Sequence, residues 1–280
     1  MAIDQRIASF LESIERDSGL PPLSEAKQAE LANPDRIVLI GEGDDLVGIG
    51  AVAEHQHTDG TSHTAVETAV PRGMAFPAFE TEVLRASLEL VSSGPVSVWS
   101  HRTSLDRSLE DLGYTPQRSL AHMEVDLPLS DTRSAEATVH SRALGADEIP
   151  DLVRVNNAAF ADHREAAVLT PDEVSALLAQ EAFSFEGIRV IGSGSVEAFC
   201  WTKVHPNGDG EIYRIAVDPT HQGSGFGRVA LEAGFGFLAS LPQVARGTLW
   251  VDESNRAAIE LYESIGMRIT VRNREFQKEN

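Results

Sequence analysis

Residues 211–240 read EIYRIAVDPTHQGSGFGRVALEAGFGFLAS, and the change of pattern inside this stretch constrains the fold more than any other part of the chain. Ile212, Ile215 and Val217 form a short β-prone run that breaks at Asp218-Pro219. The loop Gln222-Gly223-Ser224-Gly225-Phe226-Gly227-Arg228 follows, and then Val229, Leu231, Ala233, Phe235, Phe237 and Leu238 recur with helical spacing. Strand, glycine loop and helix start together build an anion site, because first-turn N–H groups lack an intrahelical acceptor and the helix dipole favours negative charge. Glycine supplies positive φ and lets a phosphate approach the backbone. Taken alone, three glycines in five residues also fit a flexible turn. The loop is not G-x-x-x-x-G-K-[ST], since Arg228 and Val229 follow the last glycine, nor G-x-G-x-x-G, since its glycines alternate.

The rest of the chain sets this unit inside a repeat. In the first half, helical patterns over residues 3–14 and 24–31 precede strands at 37–40 and 46–53, joined across Gly43-Asp44-Asp45. A strand near 63–70, a helix near 79–91, a strand at 96–99, a helix over 105–112 capped by Gly113 and a strand at 120–127 follow. The second half runs in the same order. A strand near 138–142 leads to a helix over 149–160, and Thr170-Pro171 opens another as N-cap and N1. Strands at 188–191 and 196–204 flank Gly192-Ser193-Gly194, the strand at 211–217 leads into the glycine loop, and a strand at 249–251, a helix over 256–265 and a strand over 267–276 complete the half. The tails 105–125 and 258–278 align with Gly113 facing Gly266. This order predicts an α+β (α/β) architecture of two tandem domains, 1–130 and 138–280, each a mixed, mostly antiparallel sheet flanked by helices, with 131–137 as linker. The copies are unequal. Val70-Pro71-Arg72-Gly73-Met74-Ala75-Phe76-Pro77 stands where the second half has its glycine loop, and its prolines remove N–H donors. Thr64 faces Glu211 and Leu109 faces Tyr262, so the first domain is expected to be structural, to form one wall of the substrate cleft and to bind no coenzyme.

A formal net charge of −20 excludes long-range attraction to nucleic acid or anionic membrane. No apolar run approaches the ~20 residues of a membrane span. The amphipathic, acid-containing start MAIDQRIASFLESIERD is expected not to act as a leader, and a single cysteine, Cys200, excludes an intramolecular disulfide, so a cytoplasmic location is expected. Cys200 lies in Ala198-Phe199-Cys200-Trp201 and reads as a buried structural thiol. His55 and His57 share a strand face with no third ligand nearby, so no metal site is expected. Glu211 alone reads as a solvated strand-edge carboxylate, Tyr262 as a packing residue among Ala257, Ala258, Leu261 and Ile265, and Asn255 as a helix N-cap.

Two motifs tip that balance. Gln222, Gly225 and Gly227 match the Q/R-x-x-G-x-G/A loop, and residues 255–267, NRAAIELYESIGM, resemble the N-x-x-A-x-x-x-Y-x-x-x-G-F segment, of the GNAT acetyltransferases; Met267 in place of Phe affects packing only. The resemblance implies acetyl-CoA as cosubstrate, its pyrophosphate held by Gln222, Gly223, Ser224, Gly225, Phe226, Gly227 and Arg228, with further contacts from Asn255, Arg256, Ala257, Ala258, Ile259 and Glu260. It also implies that the strand around Ile215, Ala216 and Val217 splays from its neighbour, pairs with pantetheine and offers an N–H to the thioester oxygen. Acetyl transfer to an amine needs a neutral nucleophile, donors for the developing oxyanion and a proton for the departing thiolate. Glu211 at the start of that strand fits the base and Tyr262 fits the acid.

The tandem order, together with VNNAAFADHRE at 155–165, WTKVHP at 201–206 and GEIY at 210–213, resembles the mycothiol synthase family, which acetylates the cysteinyl amine of cysteinyl-glucosaminyl-inositol. That resemblance implies Glu25, Glu165, Lys203, Glu211 and Trp250 as substrate contacts and a monomer acting on a small-molecule amine, without nucleic acid or membrane partners. Another acceptor, such as a protein N-terminus or an aminoglycoside, remains open, as does a non-catalytic acetyl-CoA-binding protein.

Overall fold

The computed structural model describes residues 3–42, 45–56, 62–71, 78–91, 94–101, 103–130, 141–161 and 168–278. The chain divides into two compact units, residues 1–120 with 272–280 and residues 121–271. The proposed linker at 131–137, residues 72–77 of the eroded loop, His57 and Glu165 lie outside the described residues.

In the first unit, helices α1 (Gln5–Ser18) and α2 (Glu25–Ala29) precede strands β1 (Ile37–Glu42), β2 (Asp45–Gln56) and β3 (Ser62–Ala69). Helix α3 (Ala78–Glu89), β4 (Val96–Ser100) and α4 (Thr103–Asp111) follow. Asp4 caps α1 by accepting from the Arg6 N–H, and Gly19 closes it at φ +74°. β1, β2 and β3 are antiparallel neighbours, while β3 and β4 pair in parallel over four positions, from Thr64 with Val96 to Glu67 with Trp99. Leu109, which aligns with Tyr262, sits wholly buried with Val52, Val66, Leu84, Val98 and Phe276.

β5 (Thr115–Asp126) and β11 (Arg268–Gln277) cross the division between the units. The far end of β11 pairs antiparallel with β4, Arg274 opposite Ser100 and Gln277 opposite Ser97, which is why residues 272–280 group with the first unit. The units therefore divide at 120/121 and 271/272, where the sequence pattern places the division at 131–137. The tail repeat hides this, because both tails carry the same helix-glycine-strand pattern whichever sheet takes the final strand.

The second unit contains β6 (Arg142–Ala143), α5 (Ile149–Ala159), α6 (Pro171–Leu178), β7 (Ile188–Ile191) and β8 (Ala198–Val204). β9 (Gly210–Val217), α7 (Phe226–Ala239), β10 (Arg246–Asp252) and α8 (Arg256–Glu263) complete it, and the strand order from β5 is β5-β10-β9-β8-β7-β6. Thr170 and Glu173 form the capping box of α6, with Pro171 at N1, as Thr-Pro predicts. The run 198–201 is apolar throughout because β8 is covered on both faces. Ala198 and Cys200 pack with Leu231 and Phe235 of α7 and Ile259 and Tyr262 of α8, whereas Phe199 and Trp201 pack with Leu152 and Val155 of α5 and Val174 of α6. The result is a mixed sheet with helices on both faces, the class expected from element order.

Candidate active site

Every described part of the site belongs to the second unit. β9 pairs with β8 through Val217 opposite Ala198, but with its parallel neighbour β10 only at Gly210–Gly247 and Glu211–Thr248. The pinch falls on two glycines. A Cβ at Gly247 would meet Phe235 Cε1 at 2.4 Å and one at Gly210 would meet Leu238 Cδ2 at 2.7 Å, so α7 lies too close for any side chain there. Beyond that pair β9 has no β10 partner, and Ile215, Ala216 and Val217 sit on the diverging part of the strand. The parallel pair of the first unit stays joined for four positions, so the long divergence is peculiar to the second.

The chain leaves β9 at Asp218. Its Oδ1 accepts from the Thr220 N–H (3.0 Å) and hydroxyl (2.6 Å), and its Oδ2 accepts from Arg154 Nη1 of α5 (2.5 Å). The Thr220 and Arg154 bonds hold this carboxyl well below the usual carboxylate range. A single 3-10 turn (Pro219–His221) leads into the loop, where Gly223 and Gly225 adopt φ of +78° and +85°, and Gly225 caps α7. Among the described residues, the N–H groups of Gly223, Ser224, Gly225, Phe226 and Gly227 find no protein acceptor, whereas those of Arg228 and Val229 donate to Gly225 O. Five consecutive unaccepted amides at a helix start suit a phosphate. Arg228 donates to Glu232 Oε1 (3.2 Å) and Ser264 Oγ (2.5 Å), so its guanidinium already ties α7 to the end of α8. Gly225→Ala is expected to raise the acetyl-CoA Kd roughly 5- to 30-fold, the equivalent of the ~1–2 kcal/mol a non-glycine residue costs at positive φ. Gly227→Ala is expected to bind normally, since a Cβ there meets Val217 and Leu261 only at 3.7 and 3.8 Å; calorimetric titration with acetyl-CoA checks both.

Glu211 stands beside the pinch, half-buried, opposite Lys203 of β8. Lys203 Nζ lies 5.7 Å over both the Phe183 and Tyr213 rings. A bulge follows, because Trp201 pairs with Arg214 but Thr202 pairs with Ile212. It sets Tyr213 and Arg214 on one side of β9, with the Arg214 guanidinium 5.4 Å over the Tyr213 ring and donating to Asn156 Oδ1 of α5 (3.5 Å). His205 Nε2 contacts Glu211 Oε2 at 2.5 Å. Arg246 of β10 grips both oxygens of Asp209 at 2.9 Å and lies 3.7 Å from Glu124 Oε2. The Trp250 ring packs 4.8 Å from that of His122, whose Nδ1 meets Thr270 Oγ1 at 3.0 Å. Burial lowers the His122 pKa against the opposing pull of Glu124, Glu211 and Asp209, so this ring is neutral near pH 7.

Tyr262 occupies the other face of the sheet, on α8. Asn255 caps that helix by accepting from the Ala258 N–H (3.1 Å), and Ile259 points into the apolar core, while Arg256, Ala257 and Glu260 are exposed and Ala258 is half-buried. The Tyr262 ring is 6% exposed, and burial, aided by Cys200, pushes its phenol up to about 12. Cys200 is wholly buried and its thiol is raised well above the usual range, so it is no nucleophile. Glu25 lies in α2 of the first unit, with its side chain outside the described residues. Among the described residues no group of three or more His, Cys, Asp or Glu is placed to hold a metal, and no helix is long and apolar enough to cross a membrane.

His205, His122, Asp209 and Arg246 are the site residues that motif reading does not single out. The signal was the hairpin His205-Pro206-Asn207-Gly208-Asp209, which returns the chain so that residue 205 lies diagonal to 211.

Residues 156–267 match the family model described as the acetyltransferase (GNAT) family. The chain is 34% identical over 274 residues to the mycothiol acetyltransferase of Thermomonospora curvata, covering 93% of this chain and 89% of that protein. It is 31% identical over 280 residues to the mycothiol acetyltransferase of Kocuria rhizophila, covering 93% and 91%. Among solved structures, the GCN5-related N-acetyltransferase of Sphaerobacter thermophilus superposes with a TM-score of 0.69 at 20% identity, covering 98% and 91%. A tandem GNAT protein from the clavulanic acid biosynthesis pathway gives 0.68 at 14% identity, covering 98% and 94%; at these identities the likeness is one of fold.

Proposed function

The chain belongs to the mycothiol acetyltransferase family and is a GNAT-type N-acetyltransferase, and we propose that it acetylates the cysteinyl α-amine of cysteinyl-glucosaminyl-inositol by direct transfer within a ternary complex. The observation that carries this reading is the diverging β9–β10 pair, with Glu211 at its closed end and the unaccepted loop amides at its open end. Acetyl-CoA supplies the acetyl group as a thioester. The amides of Gly223 to Gly227 hold its diphosphate, and the unpaired edge at Ile215, Ala216 and Val217 receives the pantetheine arm. Glu211 takes the proton from the attacking amine. An α-amine has a reference pKa near ~8 and is already partly neutral at physiological pH, which keeps the demand on a carboxylate small. Tyr262, protonated at any physiological pH, gives its proton to the departing sulfur. The sealed Cys200 supports direct attack over an acyl-cysteine route.

Several features favour this acceptor. The names of the relatives point to mycothiol chemistry, and Glu124, Asp209 and Glu211 with Lys203 suit an ammonium surrounded by hydroxyls. Trp250 offers an apolar face to a sugar ring. Glu25 and Glu165 remain proposed substrate contacts on family likeness alone. An acetyl-CoA consumption assay with cysteinyl-glucosaminyl-inositol beside an aminoglycoside and a peptide N-terminus tests the reading. Turnover with the pseudodisaccharide at least tenfold above the other amines is expected, and preference for another amine would overturn it.

A further inference from the structure

We propose that His205 is the positioning residue of the base: its ring Nε2–H holds Glu211 Oε2 and so fixes which face of the carboxylate meets the amine. This rests on the reading of Glu211 as the base. A general base acts as an ionised carboxylate, which only accepts hydrogen bonds, so in that state the 2.5 Å contact is made with the proton on His205 Nε2. That bond is the single hydrogen bond the Glu211 carboxylate makes among the described residues. Lys203 stands opposite Glu211 in the register, but its ammonium is drawn over the rings of Phe183 and Tyr213.

The ring is presented by a rigid mount. The His205 N–H donates to Asp209 O and the Gly208 N–H returns to His205 O, both at 2.9 Å, closing residues 205–209 into a turn. Asn207 Oδ1 accepts from the Asp209 N–H (3.0 Å), Gly208 holds φ +86° and Pro206 fixes the backbone after the histidine. The Asp209 carboxylate is then locked to β10 by Arg246 through two 2.9 Å bonds. Without that mount a glutamate with three rotatable bonds loses its fixed direction, and a small misplacement of a reacting group costs a large factor in rate. His205 and Glu211 are 18% and 16% exposed, so the imidazole is largely packed, and His205→Gln, which keeps most of the side-chain volume, separates loss of packing from loss of the hydrogen bond.

The test is a double-mutant cycle of His205→Ala and Glu211→Gln, with His205→Gln as the conservative variant, using whichever amine the wild-type chain acetylates. His205→Ala is expected to lower kcat about 10- to 100-fold with the acetyl-CoA KM unchanged within about twofold. His205→Gln, which keeps a side-chain N–H donor, is expected to recover most of that loss. In the Glu211→Gln background the histidine exchange is expected to cost less than about twofold, because nothing remains to be oriented. Full kcat in His205→Ala, or the same loss in both backgrounds, would overturn the positioning role while leaving Glu211 as the base. A Glu211→Gln enzyme with wild-type kcat would instead overturn the reading of the base itself. A His205→Gln variant as slow as His205→Ala would show the ring acting as a proton acceptor and not as a mount.

Discussion

Glu211→Gln is expected to lower kcat for amine acetylation by about 10²–10³-fold, the usual worth of a positioned general base, with little change in the acetyl-CoA KM. The exchange keeps volume and hydrogen-bonding reach but removes the group that takes the amine proton. The substituted amide also faces His205 Nε2, and with the ring donating as proposed, half of its orientations set N–H against N–H. The KM for acetyl-CoA stays put because the diphosphate cradle lies at the other end of β9, between Gly223 and Gly227. Steady-state kinetics over pH 6.5–9 checks the expectation. The loss should narrow toward high pH, where a larger fraction of an α-amine is already neutral and needs no base. A pH-independent loss would place Glu211 in binding instead.

The second large effect is expected at Tyr262. Tyr262→Phe should lower kcat about 10²-fold, because the sulfur must then leave as an unprotonated thiolate. The phenol is pushed up to about 12 by burial, which keeps it neutral and protonated but makes it a reluctant donor in isolation. The same desolvation raises the basicity of a thiolate arriving beside it, so the two shifts offset each other at the moment of transfer. A second readout comes from alkaline stability. A native pKa near 12 against an unfolded value near ~10 means that the unfolded chain releases this proton first. Stability is therefore intact below pH ~10 and falls as pH rises toward 12, by roughly 2–3 kcal/mol at the top of that window. Urea unfolding at pH 9 and at pH 11.5 should show the fall in the wild type, and Tyr262→Phe should lose that part of it.

How much of this was legible depended on whether the information was local. The glycine loop, the Thr170–Glu173 capping box and the Asn255 cap are written in a few adjacent residues, and the structure shows each as the sequence implies. The apolar run 198–201 announced a strand with a buried thiol at Cys200 but not that Cys200 turns toward Tyr262 while Trp201 turns toward Phe183. His205, Asp209 and Arg246 escaped because their meeting depends on register: the hairpin sets 203 opposite 211, and parallel pairing brings β10 alongside. Register is decided by the whole sheet, and no composition rule carries it. β5 begins at Thr115, five residues ahead of the expected strand, because Pro116 reads as a breaker although its neighbours join β11 at the Thr115–Gln277 contact.

The pairing of β11 with β4 has a further consequence for how the protein is made. Ser97 and Gln277 are neighbours in the sheet but lie about 180 residues apart in the chain. A ribosome adding 5–20 residues per second needs roughly 10 to 40 seconds to travel that distance. Through that interval the nascent first unit exists with β4 lacking its final partner, a bare strand edge of the kind that invites pairing with a neighbouring chain. Its hydrophobic clusters can collapse early, but this edge of β4 is covered only once residues 274–277 have emerged. Residues 1–120 therefore form a body whose sheet is completed only after the intervening second unit has been translated.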